Sequence, residues 1–261
     1  MILRGNVFSQ ALQMETGITV VVPDGFQQDR PYQVAYLLHG LCGRNGDVVD
    51  YSMLPVYAKE YHAVFIMPEV ARSFYTDMKY GLKYFTYVTE ELPNICKTVF
   101  RISARREDTA IMGVSMGGYG ALKCALSKPE QYGYCCAFSS ACLFLKDFLD
   151  GQGRQGDVGA LKAVYGEQLV TDFQAAFGEH LESHLRDDLL ELARSINSAT
   201  VKPKIYCTCG AEDDFHGDNV RFRDEITKLN FDVTYEEWSG GHDWTFFNES
   251  YRRALKRCFG V

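Results

Sequence analysis

The sequence predicts an α/β fold, a mostly parallel central sheet flanked by helices, from three observations. Short apolar, β-branched runs recur along the chain, separated by segments with helical spacing, as in strands joined by helical crossovers. Runs such as Gln33–Leu38 and Ala63–Met67 are apolar without alternation, as in strands buried on both faces. The run Ala110–Val114 passes through Gly113-Val114-Ser115-Met116-Gly117 into a helix-compatible stretch, which sets a serine at the apex of a tight strand-to-helix turn.

The elements follow in order. Val7 to Met14 mixes apolar and polar residues and reads as an edge strand. Gly17 to Pro23 is a β-branched strand closed by a turn at Pro23, Asp24 and Gly25. The Gln33–Leu38 strand runs into His39-Gly40-Leu41-Cys42-Gly43, and Ala63–Met67 stops at Pro68. Leu82 to Val99 has helical spacing, with Pro93 bending or restarting the helix. After Ser115 a helix through Ala121 to Lys128 stops at Pro129. Tyr134–Phe138, Lys204–Cys209 and Phe231–Trp238 are the remaining strands, with helices at Asn219–Leu229 and Asp243–Cys258. The interval 141–199 is longer than an ordinary crossover. It reads as short helices, Leu143–Leu149, Val158–Tyr165 and Leu185–Ile196, forming a helical cap inserted into a single domain over 1–261.

Bulk properties narrow the function. The 261 residues, 46% hydrophobic, suffice for a sizeable core. A formal net charge of -7 gives no basic face for nucleic acid. Nine scattered cysteines without a Cys-x-x-Cys pair read as reduced, mostly buried thiols rather than a disulfide framework. The N-terminus has no long apolar segment and no run reaches membrane-spanning length. The expectation is a cytoplasmic protein, monomer or homo-oligomer, acting on a small molecule.

The chemistry centres on Ser115. A serine hydroxyl is a poor nucleophile near neutral pH and needs a base, which in turn needs an orienting acid. Glycines at 113 and 117 allow a turn that a Cβ would obstruct. His242, in Gly240-Gly241-His242-Asp243-Trp244, falls between the last strand and the last helix. It therefore lies at the carboxyl edge of the sheet, with Ser115. The acid belongs at the end of the preceding strand, where Glu212, Asp213 and Asp214 stand together; Asp213 is preferred, and the other two fit the spacing. An oxyanion needs two donors, the Met116 N–H after the nucleophile and an N–H from the loop after the third strand, where Leu41 is the choice. His39 reads as a buried structural hydrogen bonder.

Other features carry bland readings. His180 and His184 are four apart, but Glu182 is one position late for a zinc-protease motif, so a polar cap helix is expected. Cys42, in the loop that carries Leu41, reads as a small apolar filler in preference to a reactive thiol. Trp244, Phe246 and Phe247 line an acyl pocket or belong to the core.

Taken together, His39-Gly40-Leu41, Gly113-Val114-Ser115-Met116-Gly117-Gly118, Cys209-Gly210-Ala211-Glu212-Asp213 and Gly241-His242-Asp243-Trp244 resemble the esterase D-like branch of the α/β-hydrolases. The nearest likeness is to bacterial tributyrin (acetyl) esterases and feruloyl-esterase-like family 1 carbohydrate esterases. Arg72 to Met78 and Glu90-Glu91-Leu92-Pro93 resemble it too. The likeness spans nearly the whole chain and is weakest over 143–196. It implies the α/β-hydrolase fold and a serine carboxylesterase using Ser115, Asp213 and His242, with Leu41 and Met116 as oxyanion donors and no metal or organic cofactor. Acetyl, butyryl or feruloyl-type esters are the implied substrates. An acyltransferase, or a thioesterase similar to S-formylglutathione hydrolase, is the alternative with the same residues.

Overall fold

A computed structural model describes residues 1–24, 30–155 and 158–260. Among them, eight strands form one sheet in the order β1-β2-β4-β3-β5-β6-β7-β8. In sequence these are β1 (Ile2–Ser9), β2 (Met14–Val21), β3 (Gln33–Leu38), β4 (Ala63–Pro68), β5 (Thr109–Val114), β6 (Tyr134–Phe138), β7 (Lys204–Gly210) and β8 (Val233–Trp238). β1 and β2 pair antiparallel, as do β2 and β4, and every pairing from β4 through β3 to β8 is parallel. The parallel strands therefore deliver their following loops to one edge, where Leu41, Ser115, Asp213 and His242 emerge.

Helices cover both faces: α1 (Asp47–Tyr51), α2 (Leu54–Tyr57), the single turn α3 (Tyr84–Thr86), α4 (Leu92–Val99), α5 (Met116–Ser127), α6 (Leu145–Gln155), α7 (Val158–Tyr165), α8 (Glu167–Phe177), α9 (Leu189–Ser195), α10 (His216–Ile226) and α11 (Trp244–Phe259). Side chains on the strands alternate between two cores. Val34, Tyr36 and Leu38 of β3 face one side with Ile111 of β5, Leu122 of α5 and Phe222 of α10. Ala35 and Leu37 face the other with Met112, Val48 of α1 and Phe246 to Phe259 of α11. Period-two alternation with both faces apolar produces the continuous hydrophobic runs seen in the sequence.

The largest departure from expectation is at the start. The expected edge strand from Val7 to Met14 is instead the end of β1, a turn, and the first residue of β2. The turn is held by Glu91, whose carboxylate accepts from the Gln10 N–H (2.5 Å), the Ala11 N–H (3.2 Å) and the Ser9 hydroxyl. Gln13 turns with φ 53°. Between α3 and α4 the helix widens into a π turn over Tyr87–Glu91, and Pro93 sits in the first turn of α4, where its missing N–H is harmless. The helix after Ser115 begins at once, at Met116 rather than Ala121. β8 starts at Val233, not Phe231. Gly25 of the turn expected after β2 lies outside the described residues.

The interval between β6 and β7 contains α6, α7, α8, a 3-10 turn at Leu185–Asp187 and α9; α8 has no counterpart in the sequence reading. His180 and His184, expected on a helix, lie in the irregular stretch between α8 and the 3-10 turn. A buried ion pair fastens this interval to α5: Lys123 Nζ lies 2.7 Å from Asp187 Oδ1, with side chains 2% and 1% exposed. The ammonium also sits 5.5 Å from the Tyr119 ring centroid and 5.7 Å from that of Phe85, and Asp187 accepts the His184 N–H. Arg72 adds a second tie, its Nε 2.6 Å from Asp172 Oδ2 on α8.

Removing one partner of such a pair strands the other charge in an apolar setting. Lys123→Met is expected to lower unfolding free energy by about 3–5 kcal/mol, and the Lys123→Met, Asp187→Asn double variant to recover much of it. Urea denaturation of both decides this; a double variant no better than the single one refutes it.

Candidate active site

Ser115 occupies the turn between β5 and α5 with φ 56° and ψ -122°, a backbone region that costs a non-glycine residue about 1–3 kcal/mol. Close backbone packing imposes it. A Cβ on Gly113 would stand 2.1 Å from Gly117 O, and one on Gly117 would stand 2.2 Å from Leu38 O. The Ser115 N–H donates to Phe138 O of β6 (3.0 Å), and Ser115 O accepts from Gly118 and Ala141 N–H groups. The serine is thus clamped by both neighbouring strands, at the N-terminus of α5, where the helix dipole favours negative charge.

The loop after β3 lies against this turn, with Gly40 beside the Ser115 side chain. His39 anchors it. The ring is buried, its Nδ1 is 2.8 Å from Gly40 O, and its Nε2 faces both the Val70 N–H (3.2 Å) and Glu69 Oε1 (3.3 Å). Tyr75 Oη donates to His39 O at 2.8 Å. Burial pushes the Glu69 carboxyl up, but His39 and the N–H groups of Ala71 and Asn45 outweigh it and hold the group down to about 2. Among the described residues, neither the Leu41 nor the Met116 N–H donates to a protein acceptor, and both residues line a cavity together with Ser115.

Asp213 and His242 meet as the sequence reading required. His242 Nδ1 is 2.9 Å from Asp213 Oδ2, and the Asp213 side chain is fully buried while His242 is 28% exposed. Asp213 Oδ1 accepts the Phe215 N–H at 2.8 Å. Burial raises the Asp213 carboxyl, yet the hydrogen bonds from His242 and the Phe215 N–H prevail and hold it below its usual value. A carboxylate of this kind fixes the Nδ1–H tautomer and leaves Nε2 as the free base. Phe215 and Phe247 pack edge-on against the imidazole, each at 5.1 Å. Phe215 also lines the Ser115 cavity, which brings the ring beside it. Among the described residues no hydrogen bond joins the Ser115 hydroxyl to His242.

The two other carboxylates considered for the acid separate clearly. Asp214 is exposed. Glu212 turns away and accepts from Gly240 N–H and the Ser239 hydroxyl, which fastens the loop carrying His242. The same loop packs so closely on the end of β7 that a Cβ on Gly210 would stand 2.0 Å from Gly240 O. Phe246 and Phe247 are buried in the second core and Trp244 packs against it; none of the three lines the cavity. Cys42 is exposed rather than a buried filler, with Arg72 Nη1 3.6 Å from its sulfur.

The cavity beside Ser115 measures ≈ 610 Å³, within the range of small-molecule sites. Its wall is apolar and aromatic: Phe74 from the loop after β4, Phe148 from α6 and Phe173 from α8 line it with Phe215. Phe74 stacks on Phe173 at 4.7 Å. No spacing signal marks these residues in the sequence, since they come from segments far apart along the chain.

The Esterase family model matches residues 9–258. The chain is 30% identical, across an alignment covering 98% of its length and 97% of the relative's, to an acetyl esterase of Caldicellulosiruptor saccharolyticus. Among solved structures it resembles the fluorophosphonate-binding serine hydrolase F of Staphylococcus aureus, with TM-score 0.85, 25% identity, and coverage of 99% of this chain and 98% of that one. It shares the fold of a ferulic acid esterase from Anaeromyces mucronatus, at TM-score 0.70 and 17% identity over 100% and 91% of the two chains.

Glu69 yields a pH test. Its folded pKa of about 2 lies below the ordinary 4.5, so the stability it contributes is present above the ordinary value and lost as pH falls toward the folded one. Glu69→Gln is expected to lower the melting temperature at pH 6, with the deficit shrinking steadily as pH falls to 3. A deficit constant with pH sinks this account.

Proposed function

We propose that this chain, which belongs to the esterase family of α/β-hydrolases, is a serine carboxylesterase that cleaves short-chain acyl or aryl esters through an acyl-serine intermediate. The observation that carries the reading is one cavity bounded by Ser115, Leu41, Met116 and Phe215, with the His242–Asp213 pair (2.9 Å) packed behind Phe215. Membership of the family makes the chain a carboxylic ester hydrolase; the residues and the substrate class are our reading.

In this mechanism Ser115 Oγ attacks the ester carbonyl carbon while His242 Nε2 takes its proton. The contact between them closes when substrate fills the cavity, since such hydrogen bonds are often long in the empty site. Leu41 and Met116 N–H groups hold the oxyanion. His242 returns the proton to the leaving alkoxide, and water, activated by the same nitrogen, releases the acid. Asp213 stabilises the imidazolium throughout. The segment 141–199 serves as a cap that roofs the acyl group, and its aromatic side chains favour an alkyl or aryl group over a charged one. The acetyl esterase and ferulic acid esterase named above act on esters at the two ends of that size range.

Two tests follow. Ser115→Ala is expected to lose roughly 10⁶ in turnover of a nitrophenyl ester and all labelling by a fluorophosphonate, while keeping its melting temperature or raising it. More than a percent of residual activity in pure protein removes Ser115 as nucleophile. Asp213→Asn, which can hold the ring in the wrong tautomer, is expected to cost roughly 10⁴ in turnover. Exposed Asp214, by contrast, contributes about 1 kcal/mol or less through its screened charge. Equal losses in Asp213→Asn and Asp214→Asn contradict the assignment.

A further inference from the structure

Behind the Ser115 cavity lies a second one of ≈ 300 Å³ with a different character, lined by Lys146, Asp188, Arg194 and Glu225. Phe144, Asp147 and Arg221 line both, so these three side chains form the partition. The Arg221 guanidinium carbon lies 3.6 Å from the Phe144 ring centroid, and its Nη2 donates to Asp147 Oδ2 at 3.1 Å. Phe144 and Asp147 belong to the start of the 141–199 segment, Arg221 to α10. The partition therefore bridges that segment and the helix that follows the Asp213 loop.

Its parts differ in strength. Arg221 and Asp147 are 56% and 59% exposed, and an ion pair that wet is screened and weakly held. The planar guanidinium lying on an aromatic face is what orients the side chain. The charged end of the pocket, where Arg221 stands with Asp147 and Asp218 beside a mostly apolar wall, is also a chemical boundary. A methylene that stops short of it is buried against aromatic carbon; one that reaches it must displace the guanidinium or strip its water.

We propose that Arg221, laid flat on Phe144 and tethered by Asp147, is the end stop of the acyl pocket and sets the longest acyl chain the enzyme accepts, the space its own side chain vacates being what a longer chain gains when the stop is removed. This rests on reading the Ser115 cavity as the acyl site. Up to the stop, each buried methylene raises kcat/KM about fourfold; past it the gain ends and reverses.

The test compares wild type with Arg221→Ala and Arg221→Lys on two series of equal chain lengths, from two to fourteen carbons. Nitrophenyl esters read turnover, and free straight-chain fatty acids read binding by thermal shift. Arg221→Ala is expected to move the optimum in both series to longer chains by at least two methylenes, raising the long-to-short ratio of kcat/KM about tenfold or more. Arg221→Lys, which keeps the charge but not the flat stack, falls between. Unchanged optima in Arg221→Ala, with turnover and fold intact, overturn the end stop. If no ester is turned over but the binding cutoff still moves with Arg221, the esterase reading fails and the end stop stands. If neither turnover nor binding responds to length, the end stop fails as well.

Discussion

Backbone touching backbone at Gly117 is the contact on which the site depends. With only hydrogen on that Cα, α5 starts against Leu38 O and His39 O, and the turn at Ser115 is forced into its positive-φ conformation. The same contact joins two parts of the candidate site. The residue that follows the serine and the loop that carries Leu41 are held together, so both line one cavity, with the His39 ring and the Tyr75 hydroxyl anchoring the loop behind them. Strain in one residue is tolerable because the turn is over-determined, by β6 through Phe138 O, by α5 through Gly118 and by the next loop through Ala141.

A second unit is built the same way one strand-pair along. Gly210 lets the end of β7 meet the Gly240 loop backbone to backbone, and Glu212 ties that loop from the other side. Asp213 and His242 then need little of their own to find each other, since the strands that carry them are adjacent and in parallel register through Gly210 and Trp238. The two units rest on strands separated by β6, and the parallel sheet fixes the distance between them. The side chains of this site are thus positioned largely by main-chain packing, with His39 and Glu212 as the side-chain ties.

What the sequence discloses follows from how local each cause is. The interior strands were legible because burial on both faces leaves an uninterrupted apolar run. The serine turn was legible because its steric demand is met within five residues. Asp213 was only narrowly legible: three adjacent carboxylates look alike until the loop closes and buries one. The β1–β2 turn was misread because its N–H groups are satisfied by Glu91, some eighty positions away, in place of a local glycine or asparagine. The π turn at Tyr87–Glu91 that aims Glu91 leaves no pattern of its own, whereas α8 is bracketed by Gly166 and Gly178, a signal the sequence carries at both of its ends. The cavity wall was invisible, being assembled from segments that meet only in the fold.

The helices over the cavity are secured unevenly, and the unevenness has a direction. On the side of α5 and the loop after β4, the ties are desolvated: Lys123–Asp187 is buried on both sides, and Arg72–Asp172 has one partner 9% exposed. Breaking the Lys123–Asp187 pair leaves a charge without water. The Phe74–Phe173 stack on that side belongs to the same core. Toward α10 the tie is Arg221–Asp147, wet on both sides, where either partner is readily solvated once released. The weaker of the ties on this segment therefore lies at its α10 side.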